Sequence, residues 1–353
     1  MTLAPEQHRP AKPIPYGRQL IDEDDIAAVC EALRSDWLTT GPAVATFESA
    51  FASATGAAEA VAVSSGTAAL HLSIAALGIG PGDEVIVPSL TFAASANCVV
   101  YCGGVPVFAD VDPATLLIDP ADVARKITAR TKAIVAVDYA GQPCNYPVLQ
   151  ALAREQGLAL VADACHSLGA AENGRPVGSL ADLSCFSLHP VKHITTGEGG
   201  AITTDSPETA QRLRRLRNHG ISSDHRERSE NGAWFYEMTE LGFNYRLTDF
   251  QCALGTSQLR KLPGFVERRR ELAAQYDAAL ASAPGVEPLA TRPGVDHAYH
   301  LYVVRVDRRD RVFRLLRDAG IGANVHYVPV HLHPFYRERF GTGVGLCPSA
   351  EAA

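Results

Sequence analysis

No stretch of this 353-residue chain approaches the roughly 20 consecutive apolar residues that span a bilayer, so a membrane helix is not expected. The first fifteen residues, MTLAPEQHRPAKPIP, are polar and proline-rich and lack the apolar core of a signal peptide. Eight cysteines stand at positions 30, 98, 102, 144, 165, 185, 252 and 347, without one Cys-x-x-Cys pair. Scattered in this way they read as reduced thiols of a cytoplasmic protein, and no metal site is expected. Cys98 and Cys102 are four apart, share a helix face and read as packing residues. No Asn-x-Ser/Thr sequon occurs, and no internal repeat or low-complexity tract appears. Basic residues are not in excess. Lysine plus arginine is 32 and aspartate plus glutamate 39, a net charge of −7, which argues against nucleic acid as the partner.

What is present is ordinary globular composition. Hydrophobic residues are 46% and charged residues 20%, enough apolar side chain to offset chain entropy and exclude disorder. After the proline-rich arm, Asp22 reads as the cap of a helix with Glu23, Asp24 and Asp25 in its first turn, where the helix dipole favours acids. Ile26, Val29, Cys30 and Leu33 follow at helical spacing. From about residue 58, short β-rich runs (Glu59–Ser64, Glu84–Pro88, Val105–Val111, Ala133–Tyr139, Leu158–Ala164) alternate with Ala/Leu helices. That rhythm predicts βαβ units and a largely parallel sheet buried on both faces. Ser184–Leu188 and Gly200–Thr204 lie close enough to form a hairpin.

Thr248-x-x-Gln251 is a capping box that opens a helix to about Leu262. Pro263-Gly264 is expected to break it, with a basic helix from Phe265 to about Ala281. A second α+β unit is expected from His297: strand YHLYVVRV, helix Arg311–Ala319, then strand Ala323–Tyr327. The expected organisation is therefore α/β: an arm over 1–20, a large domain over 21–262, and a smaller α+β domain over 263–353. The last residues, CPSAEAA, read as a helix start, so that smaller domain is expected to be incomplete.

Four segments carry chemistry. In Val63-Ser64-Ser65-Gly66-Thr67-Ala68 a strand runs directly into a helix through small residues. Such a helix N-terminus leaves amides free to face an anion, although an ordinary Ser/Thr cap reads the same way. It is not a Walker loop, since no Gly-Lys-Ser/Thr follows, nor a dinucleotide fingerprint. The G-x-G-x-G run from Gly341 to Gly345 neither follows a strand nor opens a helix. In Leu160-Val161-Ala162-Asp163-Ala164-Cys165-His166 an apolar strand ends in an acid, at the edge where open parallel sheets bind ligands. A carboxylate there needs a partner; a protonated ring nitrogen would serve, and so would the next turn. In FSLHPVKHITTGEGG, Lys192 sits among small residues between two β runs. Shielded from water, such a lysine is nucleophilic; left in water, it is only a surface charge. The fourth, Gly242-Phe243-Asn244-Tyr245-Arg246-Leu247-Thr248-Asp249, reads on composition as a loop and a helix cap.

The order of these motifs is more specific than any one of them. Ser-Gly-Thr-Ala, strand–Asp-x-x-His, Ser-x-His-x-x-Lys with Gly-Glu-Gly-Gly, and Gly-x-Asn-Tyr-Arg together resemble the DegT/DnrJ family of pyridoxal-phosphate-dependent sugar-nucleotide aminotransferases, from about Ile14 to the last residue. The resemblance implies fold type I, pyridoxal 5′-phosphate as cofactor, and a homodimer with shared active sites. Within the family, VDYAGQPCNYP, FSLHPVKHITTGEGGAITT, WFYEMTELGFNYRLTDFQCALGTSQLRKL and NVHYVPVHLHPFYR resemble a subgroup acting in pseudaminic acid biosynthesis. Its members aminate C4 of a UDP-linked 4-keto-6-deoxy-N-acetylhexosamine, with L-glutamate as donor.

By this resemblance Lys192 is the lysine that holds the cofactor covalently and shuttles a proton. Asp163 pairs with the ring nitrogen, His166 lies beside the phenolic oxygen, and Phe92 stacks on the ring. Gly66, Thr67 and Ser187 contact the phosphate, and Gly66 and Ser187 also adjoin the substrate. Asn244 reaches the phosphate or substrate of the neighbouring subunit. Tyr16, Asp36, Trp37, Leu38, Thr39, His326, Tyr327, Val328 and Pro329 match sugar-nucleotide contacts. A relative that dehydrates 4-keto sugars carries histidine in place of the lysine, so Lys192 favours transamination. Relatives also continue beyond Ser349-Ala350-Glu351 with a helix, a Ser-Leu-Pro strand and a final helix. The alternatives are amination of a dTDP- or GDP-linked keto sugar at C3 or C4, and a non-catalytic regulator that binds cofactor or sugar nucleotide.

Overall fold

The computed structural model describes residues 12–223, 228, 232 and 234–353, so the first eleven residues of the expected arm lie outside it. The β-rich runs form strands where the sequence places them: β1 (Glu59–Val63), β2 (Glu84–Pro88), β3 (Val105–Ala109), β4 (Thr131–Val137) and β5 (Ala159–Asp163). Two short strands follow, β6 (Ala171–Glu172) and β7 (Arg175–Pro176), then β8 (Leu183–Ser187) and β9 (Gly200–Thr204). Seven of these make one sheet in the order β1-β9-β8-β5-β4-β2-β3. Pairing is parallel from β3 through β8, and β9 is antiparallel to both β8 and β1. The expected hairpin is thus β8–β9. All strands but β9 point the same way, so the ends of β1, β2, β4, β5 and β8 open onto one edge.

The strands are apolar because both faces are covered. Val61, Val63, Val85, Val87, Ile134 and Val161 are fully buried, each worth roughly 1.5–3 kcal/mol relative to exposure. The flanking helices are α1 (Glu23–Arg34), α2 (Pro42–Thr55), α3 (Gly66–Ala76), α4 (Ala94–Tyr101), α5 (Pro120–Lys126), α6 (Tyr146–Gln156) and α7 (Pro207–Arg217). Asp22 and Asp25 form the reciprocal cap that starts α1. Asp25 is also fully buried, where it pairs with Lys261.

Two expectations for the C-terminal part are corrected. Pro263-Gly264 does not break a helix: α8 runs unbroken from Asp249 to Leu280. Proline removes one backbone bond, to the carbonyl of Leu259. Burial of Leu259, Leu262, Val266 and Ala273, with α1 and α2 packed on the helix, outweighs that loss. Nor does Ala323–Tyr327 form a strand. Its neighbourhood bonds elsewhere. The Gly322 N–H donates to the Ile14 carbonyl at 2.7 Å, and the Tyr139 hydroxyl donates to the His326 carbonyl.

The remaining elements are short. They are β10 (Val286–Pro288), β11 (Val295–Asp296), β12 (Val304–Val306), α9 (Arg309–Asp318), α10 (Pro334–Phe340) and α11 (Pro348–Ala352). The long strand expected over YHLYVVRV is reduced to β12, paired with β10. The eight cysteines are all free. Among the described residues, no helix is long and apolar enough to cross a membrane.

Candidate active site

The common edge of the sheet holds a cavity of about 430 Å³. β1 ends at Val63, and Ser65 caps α3 by accepting from the Ala68 N–H at 3.0 Å. The amides of Gly66 and Thr67, first in the helix, have no intrahelical carbonyl to bond, and both residues line the cavity. Gly66 leaves no room for a side chain. A Cβ there would lie 2.8 Å from the Ser187 Cβ and 3.1 Å from the Cys165 Sγ. Helix dipole, free amides and bare backbone together suit a phosphate.

β5 delivers Asp163, buried, at the centre of that edge. Its Oδ1 accepts from the Cys165 N–H at 3.2 Å and its Oδ2 from the Ser95 hydroxyl at 2.6 Å. Lys192 sits on the β8–β9 loop, which is closed by the Leu188 N–H on the Gly199 carbonyl at 2.9 Å. Gln251, in the first turn of α8, donates to the Glu198 carbonyl of the same loop at 2.8 Å. Desolvation pulls the Lys192 amine below its usual 10.5, while Cys165 and Asp163 pull the other way. An amine so placed loses its proton more easily than a solvated one.

His166 lies one turn beyond Asp163. Burial, and after it the charge of Lys192, hold its ring well below the usual 6.5. The ring is therefore neutral, and its Nδ1 is buried without a partner. The Tyr327 hydroxyl lies 3.4 Å from its Nε2, and the His300 ring packs against it at 4.4 Å between centroids. The outer wall is aromatic. Tyr16 stacks on His326, with 2.9 Å between its hydroxyl and Nε2, and Phe92 faces Tyr327 at 6.1 Å.

The structure thus brings ten of the expected residues to one cavity: Tyr16, Gly66, Thr67, Phe92, Asp163, His166, Ser187, Lys192, His326 and Tyr327. The others lie outside it. Val328 is exposed and Pro329 buried away from the lining. Asp36, Trp37, Leu38 and Thr39 connect α1 to α2, where Thr39 pairs with Thr248 and Leu38 accepts from the Asp249 N–H. Asn244 pairs with Asn218. Asn218 and Arg246 line a second, larger cleft of about 890 Å³. That cleft is lined by five arginines; four are paired with carboxylates, and Arg246 donates to the Asn218 side chain at 2.7 Å. Arg212 and Arg215 pair with Glu240, Arg214 with Glu48 and Glu59, and Arg217 with Glu48.

Sequence reasoning missed His300, Thr91 and Ser95. No motif marks His300, which a distant segment brings to the site. Thr91 and Ser95 are four apart in PSLTFAASAN, a spacing that places both on one side of a helix start. Among the described residues, no cluster of histidine, cysteine, aspartate and glutamate is disposed to hold a metal. The residues present fit pyridoxal phosphate. They supply a desolvated lysine, a strand-end carboxylate, an anion-binding helix start and a buried imidazole nitrogen with no partner of its own.

Comparison with known proteins agrees. The Bacillus subtilis spore coat polysaccharide biosynthesis protein SpsC is 42% identical over 345 residues, covering 96% of this chain and 89% of that protein. The Streptococcus pneumoniae protein Spr1654, solved in PLP and PMP forms, superposes with TM-scores of 0.90 and 0.91 at 33% identity, over 96% of this chain and 91% of that one. Helicobacter pylori PseC, an aminotransferase involved in the biosynthesis of pseudoaminic acid, superposes with a TM-score of 0.89 at 33% identity, over 96% and 91%. With the family's sequence profile matching residues 19–353, the chain belongs to the DegT/DnrJ/EryC1/StrS aminotransferase family, and pyridoxal phosphate is its cofactor.

Proposed function

We propose that this sugar aminotransferase moves an amino group from L-glutamate to the C4 carbonyl of a UDP-linked 4-keto-6-deoxy-N-acetylhexosamine, as in pseudaminic acid biosynthesis. One observation carries the chemistry: a lysine with a lowered pKa, a strand-end carboxylate and a bare helix N-terminus share one cavity. PseC, matched over 96% of this chain, supports the pathway.

When bound, the cofactor supplies a carbonyl that takes up the amino group and a ring that withdraws electrons. The chain supplies the rest. Gly66, Thr67 and Ser187 hold the phosphate with amides and a hydroxyl. Asp163 holds positive charge at the ring nitrogen, a charge-assisted bond about twice as strong as a neutral one. Lys192 is the attachment point, and once released its Nζ takes a proton from the donor's α-carbon and returns one to the sugar's C4. His166, neutral, orients the ring's phenolic oxygen. Phe92 covers one ring face, and Tyr16, His326 and Tyr327 line the approach of the sugar. In this reading the domains are 21–262, which carries the cofactor, and 263–353, whose His326 and Tyr327 close over it.

The working unit in this reading is a homodimer. Trp234, Phe235, Met238 and Leu241, all exposed, form an apolar run just before Asn244. Such a patch suits a protein contact, and Asn244, outside its own cavity, would then serve the neighbour's, with Asp36–Thr39, Val328 and Pro329 near the junction. Mixing inactive Lys192→Ala with inactive Asn244→Ala tests this. Random pairing puts one intact site in half the dimers, so about one-quarter of wild-type activity should return; no return removes the shared site. The function itself is tested with L-glutamate, pyridoxal phosphate and a panel of UDP-, dTDP- and GDP-linked 3- and 4-keto sugars. Preference for a dTDP or GDP sugar would overturn the substrate, and inactivity on all of them would overturn the reaction.

A further inference from the structure

We propose that Ser95, backed by Thr91, is a positioning residue of the reaction that acts through Asp163. The inference rests on Asp163 being the partner of the cofactor's ring nitrogen. Ser95 lies in the first turn of α4, an element that carries none of the expected site residues. A serine inside a helix commonly bonds back to its own helix. Here the hydroxyl leaves the helix and donates to the Asp163 Oδ2 at 2.6 Å. The Thr91 Oγ1 stands 2.7 Å behind it. All three groups are buried.

The direction of the relay follows from chemistry. A carboxylate only accepts, so the Ser95 proton points at Asp163, and the Ser95 oxygen is left to accept from Thr91. Each bond polarises the next. Asp163 therefore has one protein donor on each oxygen, a hydroxyl and an amide, neither of them a cation. The two donors fix the carboxylate's rotation, and neither brings a positive charge of its own. Its remaining lone pairs are free for a positively charged nitrogen in the cavity. A cation in place of Ser95 would compete with that nitrogen; an apolar residue would leave the carboxylate free to turn.

Ser95→Ala removes one donor from a buried anion, which raises its proton affinity. The acidic limb of kcat/KM against pH should move up, and with it the pH titration of the cofactor's visible absorbance. The titratable groups facing Asp163 are Cys98 on α4, Asp138 after β4, Cys165 beyond β5, Cys185 on β8, Lys192, and Tyr327 from the C-terminal part. Burial raises the thiols and the phenol, so they stay neutral through the acid range. Asp138, pushed up to about 7 by burial, titrates in the same window. The Ser95→Ala profile is therefore read against Ser95→Thr, which keeps a hydroxyl and leaves Asp138 untouched.

The experiment uses the full chain loaded with pyridoxal phosphate, and also its apoprotein. Ser95→Ala should lower kcat about tenfold, the scale of one hydrogen bond to a charged group, with KM for L-glutamate nearly unchanged. It should also weaken pyridoxal phosphate binding to the apoprotein. Ser95→Thr should recover most of each loss, and Thr91→Val should show a smaller shift of the same sign. Equal damage from Ser95→Ala and Ser95→Thr would mean simple packing, and an unmoved acidic limb in Ser95→Ala would also overturn the proposal. An Asp163→Asn background separates the two levels of inference. If Asp163→Asn is itself harmless, the reading of Asp163 fails; if it is severe and Ser95→Ala still costs the same factor on top of it, Ser95 does not act through Asp163.

Discussion

Asp163 and Ser187 stand at the ends of two neighbouring strands and Lys192 on the loop that follows the second, whereas Tyr16, His326 and Tyr327 are gathered from opposite ends of the chain. The inner wall is held by the sheet ladder and by paired backbone groups. The outer wall is aromatic and is held by single side-chain contacts and one isolated bridge between Ile14 and Ile321. Phe92, on the rim, is 61% exposed, while Asp163 is 6% exposed. The difference teaches a division of labour. Groups that must meet one cofactor in one geometry sit on rigid elements. In the proposed reading, the groups that meet the sugar sit where loops can vary without disturbing the sheet.

The largest effects should come from breaking the inner wall. Lys192→Ala removes both attachment and the proton carrier, so turnover should fall about a thousandfold or more. Borohydride reduction followed by peptide mapping should then find no cofactor adduct at any lysine. An adduct that persists would move the attachment point elsewhere.

Next comes a contrast within the same wall. Asp163→Asn removes the countercharge of the ring nitrogen, while His166→Asn alters only a neutral neighbour. We expect about a hundredfold loss in kcat for the first and under tenfold for the second, on the relative strength of charged and neutral hydrogen bonds. Equal losses would erase that ranking.

The outer wall should answer differently. Gly322 touches the arm so closely that a Cβ would lie 2.4 Å from the Tyr16 nitrogen and 2.9 Å from the Ile14 oxygen. Both are backbone atoms and cannot turn aside, so Gly322→Ala should expel the arm. KM for the sugar nucleotide should rise roughly three- to tenfold, the scale of one or two neutral hydrogen bonds, while cofactor absorbance stays as in wild type. A lost cofactor signal would mean that the two walls are not separable.

The smallest effect is on stability. Burial depresses His193 and His297 from 6.5 to about 3, and His326 to about 4. Below about pH 6.5 the unfolded chain takes up protons that the folded chain refuses, so the unfolded state gains. This stability is fully present above pH 6.5 and is lost progressively as pH falls toward about 3. Melting temperature should be flat from pH 8 to 7 and should drop steadily from 6.5 to 5. A flat curve through 5 would mean that these rings are charged in the fold.

Legibility in the sequence follows the same division. The strands β1 to β5, the β8–β9 hairpin and the caps at Asp22 and Thr248 were readable because each is set by neighbouring residues. Gly66, Asp163, His166, Ser187 and Lys192 were named through the family resemblance, and the fold brings all five to one cavity. The break at Pro263 and the strand at Ala323–Tyr327 were misread, because tertiary packing and a distant arm decide them. His300 and the Ser95–Asp163 bond escaped for the same reason: partners 134 and 68 positions apart, counted from His166 to His300 and from Ser95 to Asp163, leave no local signature. Asn244 and Asp36–Thr39 match the family by motif, yet the fold of one chain gives them no place in its own cavity.

The arm's attachment also bears on how the protein is made. Tyr16 and its partner His326 are 310 positions apart. At 5–20 residues per second a ribosome needs roughly 15 to 60 s to add that length. The last 134 of those positions, from Lys192 to His326, take roughly 7 to 27 s, and in that time Asp163 and Lys192 have been made but His326 has not. The residues of the inner wall are therefore made before His326 and Tyr327 of the outer one, and Tyr16, though made first, has no partner until the end of synthesis.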